Sequence, residues 1–280
     1  MTHILIIGAG RLGSSLYRAL QSIGYQKVTL AGREERKAET APVYRFEPAL
    51  AEKSDWLFLA VPDDQIKPLA EQLAGLDLTG RHVVHTSGFR SSADLEPARE
   101  AGAYIGSWHP VQTFSRRFLE PSVWRGITCS YEGDPQNVDF LREMCNRLDC
   151  RLQTVTAAQK QALHLAATIA ANFTVALLSW AEQILTDRQI DRRQAAEFLL
   201  PMVNRVAENF RLKPGAEILT GPAKRGDLET LRGHLNLLPP EERELYRTLT
   251  DWIAHHLPTD KPQELRRFLK SITKQDGAEK

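Results

Sequence analysis

The sequence predicts an α/β fold in which an N-terminal doubly wound sheet is followed by an all-α C-terminal domain. Three features carry that prediction. An apolar run ends at a glycine-rich turn and passes at once into a helix-forming stretch. Short β-rich runs then alternate with amphipathic stretches as far as Val155, the rhythm of βαβ units. No convincing strand follows about Thr156, where amphipathic and apolar helical patterns take over. The expected domains are therefore 1–155 and 156–280.

The first strand is Ile4-Leu5-Ile6-Ile7, followed by Gly8-Ala9-Gly10-Arg11-Leu12-Gly13 at the G-x-G-x-x-G spacing. Between a strand and a helix, that spacing points to a dinucleotide turn. Gly8 allows the sharp turn, Gly10 leaves room for a pyrophosphate, and Gly13 lets the helix lie close to the sheet. A helix from about Arg11 to Ser22 aims its free N–H groups at the phosphates. Gly24 stops it, and Lys27 to Leu30 is the second strand. Where an NAD site would carry an acid, this chain has Ala31-Gly32-Arg33. Arg33 suits a 2′-phosphate and a stacking contact with adenine, so NADP(H) is favoured over NAD; Glu34 serving as the acid is the competing reading.

Val43 to Phe46 reads as the third strand, Pro48 to Lys53 as a short helix, and Asp55 to Val61 as the fourth strand, apolar enough for burial on both faces. Ligands of open α/β sheets sit beyond the carboxyl ends of strands, so Val61, Pro62 and Asp63 are expected to line the cofactor cleft. A helix over Pro68 to Leu73 leads to the fifth strand, His82 to His85, and then to Thr86-Ser87-Gly88, where Ser87 suits contact with a nicotinamide or substrate. Ala93 to Ala101 is predicted helical, Ala103 to Ile105 a short strand, and Gly106 to Pro110 a loop that carries His109. A strand at Ile127 to Tyr131, a helix from Pro135 to Leu148 and a strand at Arg151 to Val155 complete the sheet domain.

Composition narrows the function classes. A chain of 280 residues with 42% hydrophobic content suits two domains with sizeable cores. Lys+Arg 36 against Asp+Glu 35 gives no global field for nucleic acid or an anionic membrane, so any anion site is local. The first strand begins without a charged leader and apolar h-region, so no signal peptide is expected. Cys129, Cys145 and Cys150 are odd in number and lack paired spacing, which predicts reduced packing thiols in a cytoplasmic protein and no metal site. Leu163 to Trp180 is too polar for a lipid-facing span, and a buried central helix is expected instead.

That helix, about Ala157 to Asp187, carries Lys160, His164, Thr168 and Asn172 at every fourth position. Each step of four advances only about 40° past a full turn, which predicts one polar stripe beside a wet cleft. His164, with an ordinary pKa of about 6.5, is the candidate general acid or base. Asn172 offers one donor and one acceptor to orient a substrate. His109 is the rival proton donor, and His85 lies closer still to the ligand edge of the sheet. A second unusual loop, Gly221-Pro222-Ala223-Lys224-Arg225-Gly226-Asp227, presents Lys224 and Arg225 for a substrate carboxylate or phosphate, with Asp227 placed to cap a helix at Leu228. No G-x-S-x-G elbow supports hydrolysis.

Taken together, Gly8 to Gly13, Ala60-Val61-Pro62-Asp63, His85-Thr86-Ser87-Gly88, His109-Pro110 with Gln112-Thr113-Phe114, the helix from His164 to Asn172, and Gly221-Pro222 with Arg225-Gly226-Asp227 resemble the Rossmann-like proteins that carry a C-terminal DUF2520 domain. That family is similar to a larger group with pyrroline-5-carboxylate reductase, ketopantoate reductase, 6-phosphogluconate dehydrogenase relatives and F420-dependent NADP reductase. The resemblance implies an NADP-linked oxidoreductase whose helical domain, like the C-terminal domain of 6-phosphogluconate dehydrogenase, builds a homodimer. It departs at one point: the catalytic Lys four residues before Asn in the hydroxyacid dehydrogenases is Thr168 here. The expectation is an NADP(H)-dependent oxidoreductase acting on a small polar carbonyl or imine, with NAD and F420 as lesser cofactor alternatives. A non-catalytic NADP(H) sensor or scaffold is the alternative from a different class.

Overall fold

The computed structural model describes residues 1–37 and 41–276. The first part of the chain runs β1 (Ile4–Ile7), α1 (Arg11–Ser22), β2 (Val28–Gly32), β3 (Arg36–Lys37), β4 (Pro42–Arg45), α2 (Pro48–Glu52), β5 (Trp56–Leu59), α3 (Ile66–Leu73), β6 (His82–His85), α4 (Glu96–Glu100), β7 (Tyr104–Pro110), β8 (Thr128–Gly133), α5 (Val138–Arg147) and β9 (Arg151–Thr154). The strands among these lie in the order β3-β4-β2-β1-β5-β6-β7-β8-β9. All neighbours are parallel except β3 with β4 and β7 with β8. The predicted doubly wound sheet is therefore present.

Both faces of the sheet are covered. On β1, Ile4 and Ile6 pack into one apolar cluster with Leu16, Leu20 and Phe58, while Leu5 and Ile7 enter another with Leu57, Leu69 and Val83. That alternation is the period of two of a strand, and double burial explains why β1 and β5 read as continuous apolar runs. Each such side chain contributes roughly 1.5–3 kcal/mol by leaving water.

The segment predicted as a loop at Gly106 to Pro110 is instead the second half of β7. It pairs with β6 on one side and antiparallel with β8 on the other, Gly106 opposite Gly133 and His109 opposite Ser130. Gly106 reads as a breaker in the sequence, but here it makes room for a neighbour: a Cβ would lie 2.6 Å from the Tyr131 ring. The helix predicted over Ala93 to Ala101 is divided into a 3-10 turn, Ser92–Leu95, and α4.

The central helix begins as α6 (Ala157–Thr168), opened by a capping box in which Thr156 and Gln159 exchange side chain to backbone hydrogen bonds. It widens to a π-turn over Ile169–Phe173 and continues as α7 (Thr174–Thr186). The last strand ends at Thr154, yet the first compact unit extends to Leu177, since α6 lies against β8. The second unit, Leu178–Lys280, holds the end of α7, then α8 (Arg192–Leu212), α9 (Gly215–Ile218), α10 (Gly221–Arg225), α11 (Leu228–Leu237), α12 (Pro240–His256) and α13 (Pro262–Asp276). Its own core gathers Leu231, Leu235, Ala254, Leu265, Phe268 and Leu269.

Two expectations for this half are corrected. The central helix is not buried: Leu165, Ile169, Phe173, Val175 and Leu177 are exposed. Among the described residues none of its apolar side chains is fully buried, and Ala157–Thr186 is long and apolar enough to cross a membrane by length and composition alone. The expected loop at Gly221 to Asp227 contains the short helix α10, closed by Gly226 in the left-handed conformation. Asp227 does cap α11, accepting from the Thr230 N–H.

Candidate active site

The glycine turn is built as its spacing requires. Gly8 has φ +118°, and a Cβ there would lie 2.2 Å from the Ala60 carbonyl oxygen; one on Gly13 would lie 1.9 Å from the Gly8 carbonyl oxygen. Nothing approaches the Cβ direction of Gly10 within 4 Å. Gly10 is also the N-cap of α1, whose first turn has no side-chain cap and no acid, so its N–H groups remain available to an anion.

Beyond this turn lies a cleft of about 550 Å³ lined by Gly8, Ala9, Gly10, Arg33, Val61 and Pro62, all expected there, and by Arg36, Arg45 and Arg117, which the sequence did not single out. Its described lining carries no carboxylate, and none of the four arginines is in an ion pair among the described residues. The exposed Glu34 is not part of it. Arg11, Leu12 and Gly13 belong to α1 beside the cleft and are not in its lining. The donor set fits a polyanionic dinucleotide with an additional phosphate at the Arg33 end.

The carboxyl ends of β5, β6 and β7 form a second group. Asp63 is not in the cleft lining; its Oδ2 accepts the Ser87 hydroxyl at 2.9 Å. Ser87 Oγ in turn accepts the Phe89 and Arg90 N–H groups at 3.1 and 3.0 Å. Its proton and both lone pairs are thus engaged in shaping the turn. Glu132 holds the next residues through Ser92, and the buried Lys160 donates to the Arg90 carbonyl. Burial pushes the Lys160 ammonium down to about 8.

His109 and His164 meet at Gly88. A Cβ on Gly88 would lie 2.3 Å from His164 Nδ1 and 2.9 Å from His109 Nε2, so only glycine leaves room for both rings. The rings stand edge to face with centroids 5.8 Å apart, and Phe89 flanks His164 at 6.2 Å. The register explains the meeting on the strand side: His85 pairs with Ser107, so Gly88, just beyond β6, and His109, still within β7, lie side by side at the carboxyl end of neighbouring parallel strands.

The three histidines are not equivalent. His85 is fully buried, with Nε2 donating to the Ser91 carbonyl and Nδ1 accepting the Ser87 N–H. Both ring nitrogens are spent, and burial pushes its pKa down to about 4. His109 donates from Nδ1 to the Thr86 carbonyl at 3.1 Å, which leaves a lone pair on Nε2 facing Gly88; burial brings its pKa down to about 4 as well. His164 is half-buried and beside it.

The predicted polar stripe does not run its full length. Lys160 is buried and His164 half-buried, but Asn172 is exposed within the π-turn. A π-turn closes hydrogen bonds at five residues instead of four, so steps of four no longer stay on one face. Lys224 and Arg225 lie in the second unit, where Lys224 Nζ stands 2.7 Å from Asp260 Oδ1 and Arg225 3.8 Å from Asp227 Oδ2. Cys129, Cys145 and Cys150 are buried free thiols whose sulfurs lie within 4.8 Å of one another in the sheet core.

Residues 2–110 match the model of a Rossmann-like domain, and residues 127–253 match that of DUF2520, a domain of unknown function. The chain is a Rossmann-like protein carrying a DUF2520 domain. Among curated proteins, none matches the sequence. Solved structures similar to this Rossmann-like DUF2520 chain include a candidate NADP oxidoreductase from Bacteroides fragilis, with 24% identity, TM-score 0.72, and 90% of this chain and 97% of that one covered. A reductive aminase from Aspergillus terreus in complex with NADPH is 14% identical, with TM-score 0.70 and 96% and 99% covered. The Plasmodium falciparum pyrroline carboxylate reductase with NADP bound is 11% identical, with TM-score 0.64 and 99% and 97% covered. These likenesses establish a shared fold along almost the whole chain.

Proposed function

We propose that this protein is an NADP(H)-dependent oxidoreductase that reduces a small polar carbonyl or imine compound, or catalyses the reverse oxidation. The observation that carries the reading is the pairing, in one compact unit, of an arginine-lined dinucleotide cleft with two imidazoles closing on Gly88 at the same edge of the sheet. Three structural neighbours, the Bacteroides fragilis NADP oxidoreductase and the two enzymes solved with NADP or NADPH, support the cofactor.

A nicotinamide held in the cleft would supply hydride in reduction and accept it in oxidation. The chain's residues manage position and protons. Gly8 to Gly10 and the α1 N-terminus would hold phosphate, and Arg33 with Arg36 and Arg45 would receive the 2′-phosphate end. His164, the more accessible imidazole, gives a proton to the reduced product or takes one in oxidation. His109 stays neutral near pH 7, with its Nδ1–H held by the Thr86 carbonyl and its Nε2 lone pair open toward Gly88 beside the His164 ring. The uncovered apolar faces of α7 and α8 support a homodimer as the working form.

The test is a screen of keto acids, aldehydes and cyclic imines for NADPH oxidation, with His164→Gln alongside. A turnover loss of about 100-fold with unchanged NADPH affinity is expected, the usual scale of general acid catalysis. Undiminished turnover would remove His164 from the chemistry.

A further inference from the structure

Arg117 is the one arginine of the cleft that does not come from the β2 to β4 end of the sheet, where Arg33, Arg36 and Arg45 sit. It belongs to the long connection between β7 and β8, and that connection is strapped to α1. Arg18 Nη1 donates to the Phe118 carbonyl at 2.9 Å, and its Nη2 pairs with Glu120 at 2.8 Å. The Leu119 N–H donates to Ser15 Oγ at 3.1 Å, and that hydroxyl donates to the Arg11 carbonyl at 2.7 Å. These contacts bracket Phe118, which has φ +52°, a conformation that non-glycine residues adopt only when their surroundings impose it. Phe118 itself packs against the core of the sheet unit.

The consequence falls on the residue just before it. Leu119 is tied beside the first turn of α1, so Arg117, two residues back, enters the cleft from the side of α1 and its glycine turn. Its side chain is exposed, lines the cleft with Gly8, Ala9 and Gly10, and has no hydrogen bond or ion pair among the described residues.

We infer that Arg117 is the pyrophosphate clamp of the dinucleotide site, held in place by the strap across α1. The inference rests on the cofactor reading above and adds a residue to it. A guanidinium here would close over phosphate oxygens that the α1 N–H groups hold from the opposite side.

The specificity of the two arginine groups separates the possibilities. Affinities for NADPH, NADH and adenosine 2′-monophosphate are measured by calorimetry on the unaltered chain, Arg117→Gln and Arg33→Ala. Arg117→Gln should weaken NADPH and NADH by the same factor, about 10- to 100-fold for a charge-assisted hydrogen bond, and leave adenosine 2′-monophosphate binding unchanged. Arg33→Ala should weaken NADPH and adenosine 2′-monophosphate and spare NADH. Because Arg117 is exposed and unbonded, its variant should melt with the unaltered chain. An Arg117→Gln protein that holds NADPH and NADH as tightly as the original, or that loses NADPH alone, overturns the assignment. If the unaltered chain binds neither dinucleotide, the cofactor reading fails and the clamp falls with it.

Discussion

The two compact units cover their apolar residues in opposite ways. In the sheet unit every residue of β1 and β5 is buried, and the helices that flank the sheet complete both of its faces. In the helical unit α8 leaves Phe198, Leu200, Met202, Val206, Phe210 and Leu212 exposed, and the enclosed core draws on α11, α12 and α13. The sheet is finished by its own chain; α8, like the central helix from Leu165 to Leu177 at the end of the first unit, presents apolar surface of the kind that marks an interaction site. Stability and nucleotide binding should therefore depend on the sheet, and assembly on these helices.

The sharpest test of that division is a pair of glycines in one turn. Gly13→Ala places a Cβ against the Gly8 carbonyl and should cost about 3 kcal/mol or more, read as a lowered melting temperature. Gly10→Ala meets no protein atom, so it should leave melting nearly unchanged while sharply weakening NADPH binding. Equal melting losses in both would break the view that Gly10 is reserved for ligand.

Acid should come next in size. The pKa of His85 is about 4 in the folded chain and about 6.5 unfolded, so the folded state favours the neutral ring. Its contribution is complete above pH 6.5 and is lost as the pH falls toward 4, up to about 3 kcal/mol. Denaturant titrations at pH 7, 5.5 and 4.5 should show this decline, with a shallower slope in His85→Gln; a slope unaffected by the substitution would remove His85 as its source. His109 contributes in the same direction and window.

The smallest expected effect on folding belongs to α8. Phe198→Ser with Phe210→Ser should change stability in the monomer by about 0.5 kcal/mol or less, since both rings are exposed. The same double variant should lower the mass seen by light scattering if a second copy covers this face. Unchanged mass would locate the assembly surface elsewhere.

Much of the site was legible because its signals are local. The glycine turn, Arg33 and the Asp227 cap each depend on residues within a few positions of one another, where spacing alone specifies geometry. The π-turn that displaces Asn172 is also local, but the stretch around it reads as ordinary helix, and nothing in its composition announces the fifth residue in the turn. Read locally, Gly106 to Pro110 is a loop that carries His109, and only pairing on both sides makes that stretch a strand.

By itself, then, the sequence determined where strands and helices alternate, which turn leaves helix N–H groups free for an anion and which residue types are available for proton transfer. Tertiary structure alone decided that His109 and His164 share Gly88, that His85 has no free nitrogen, and that Arg117 joins Arg33 in one cleft. The reason is distance along the chain. A period of two or of 3.6 is written into neighbouring residues, whereas a meeting between groups 55 or 84 positions apart follows from strand order and register, which no local pattern encodes.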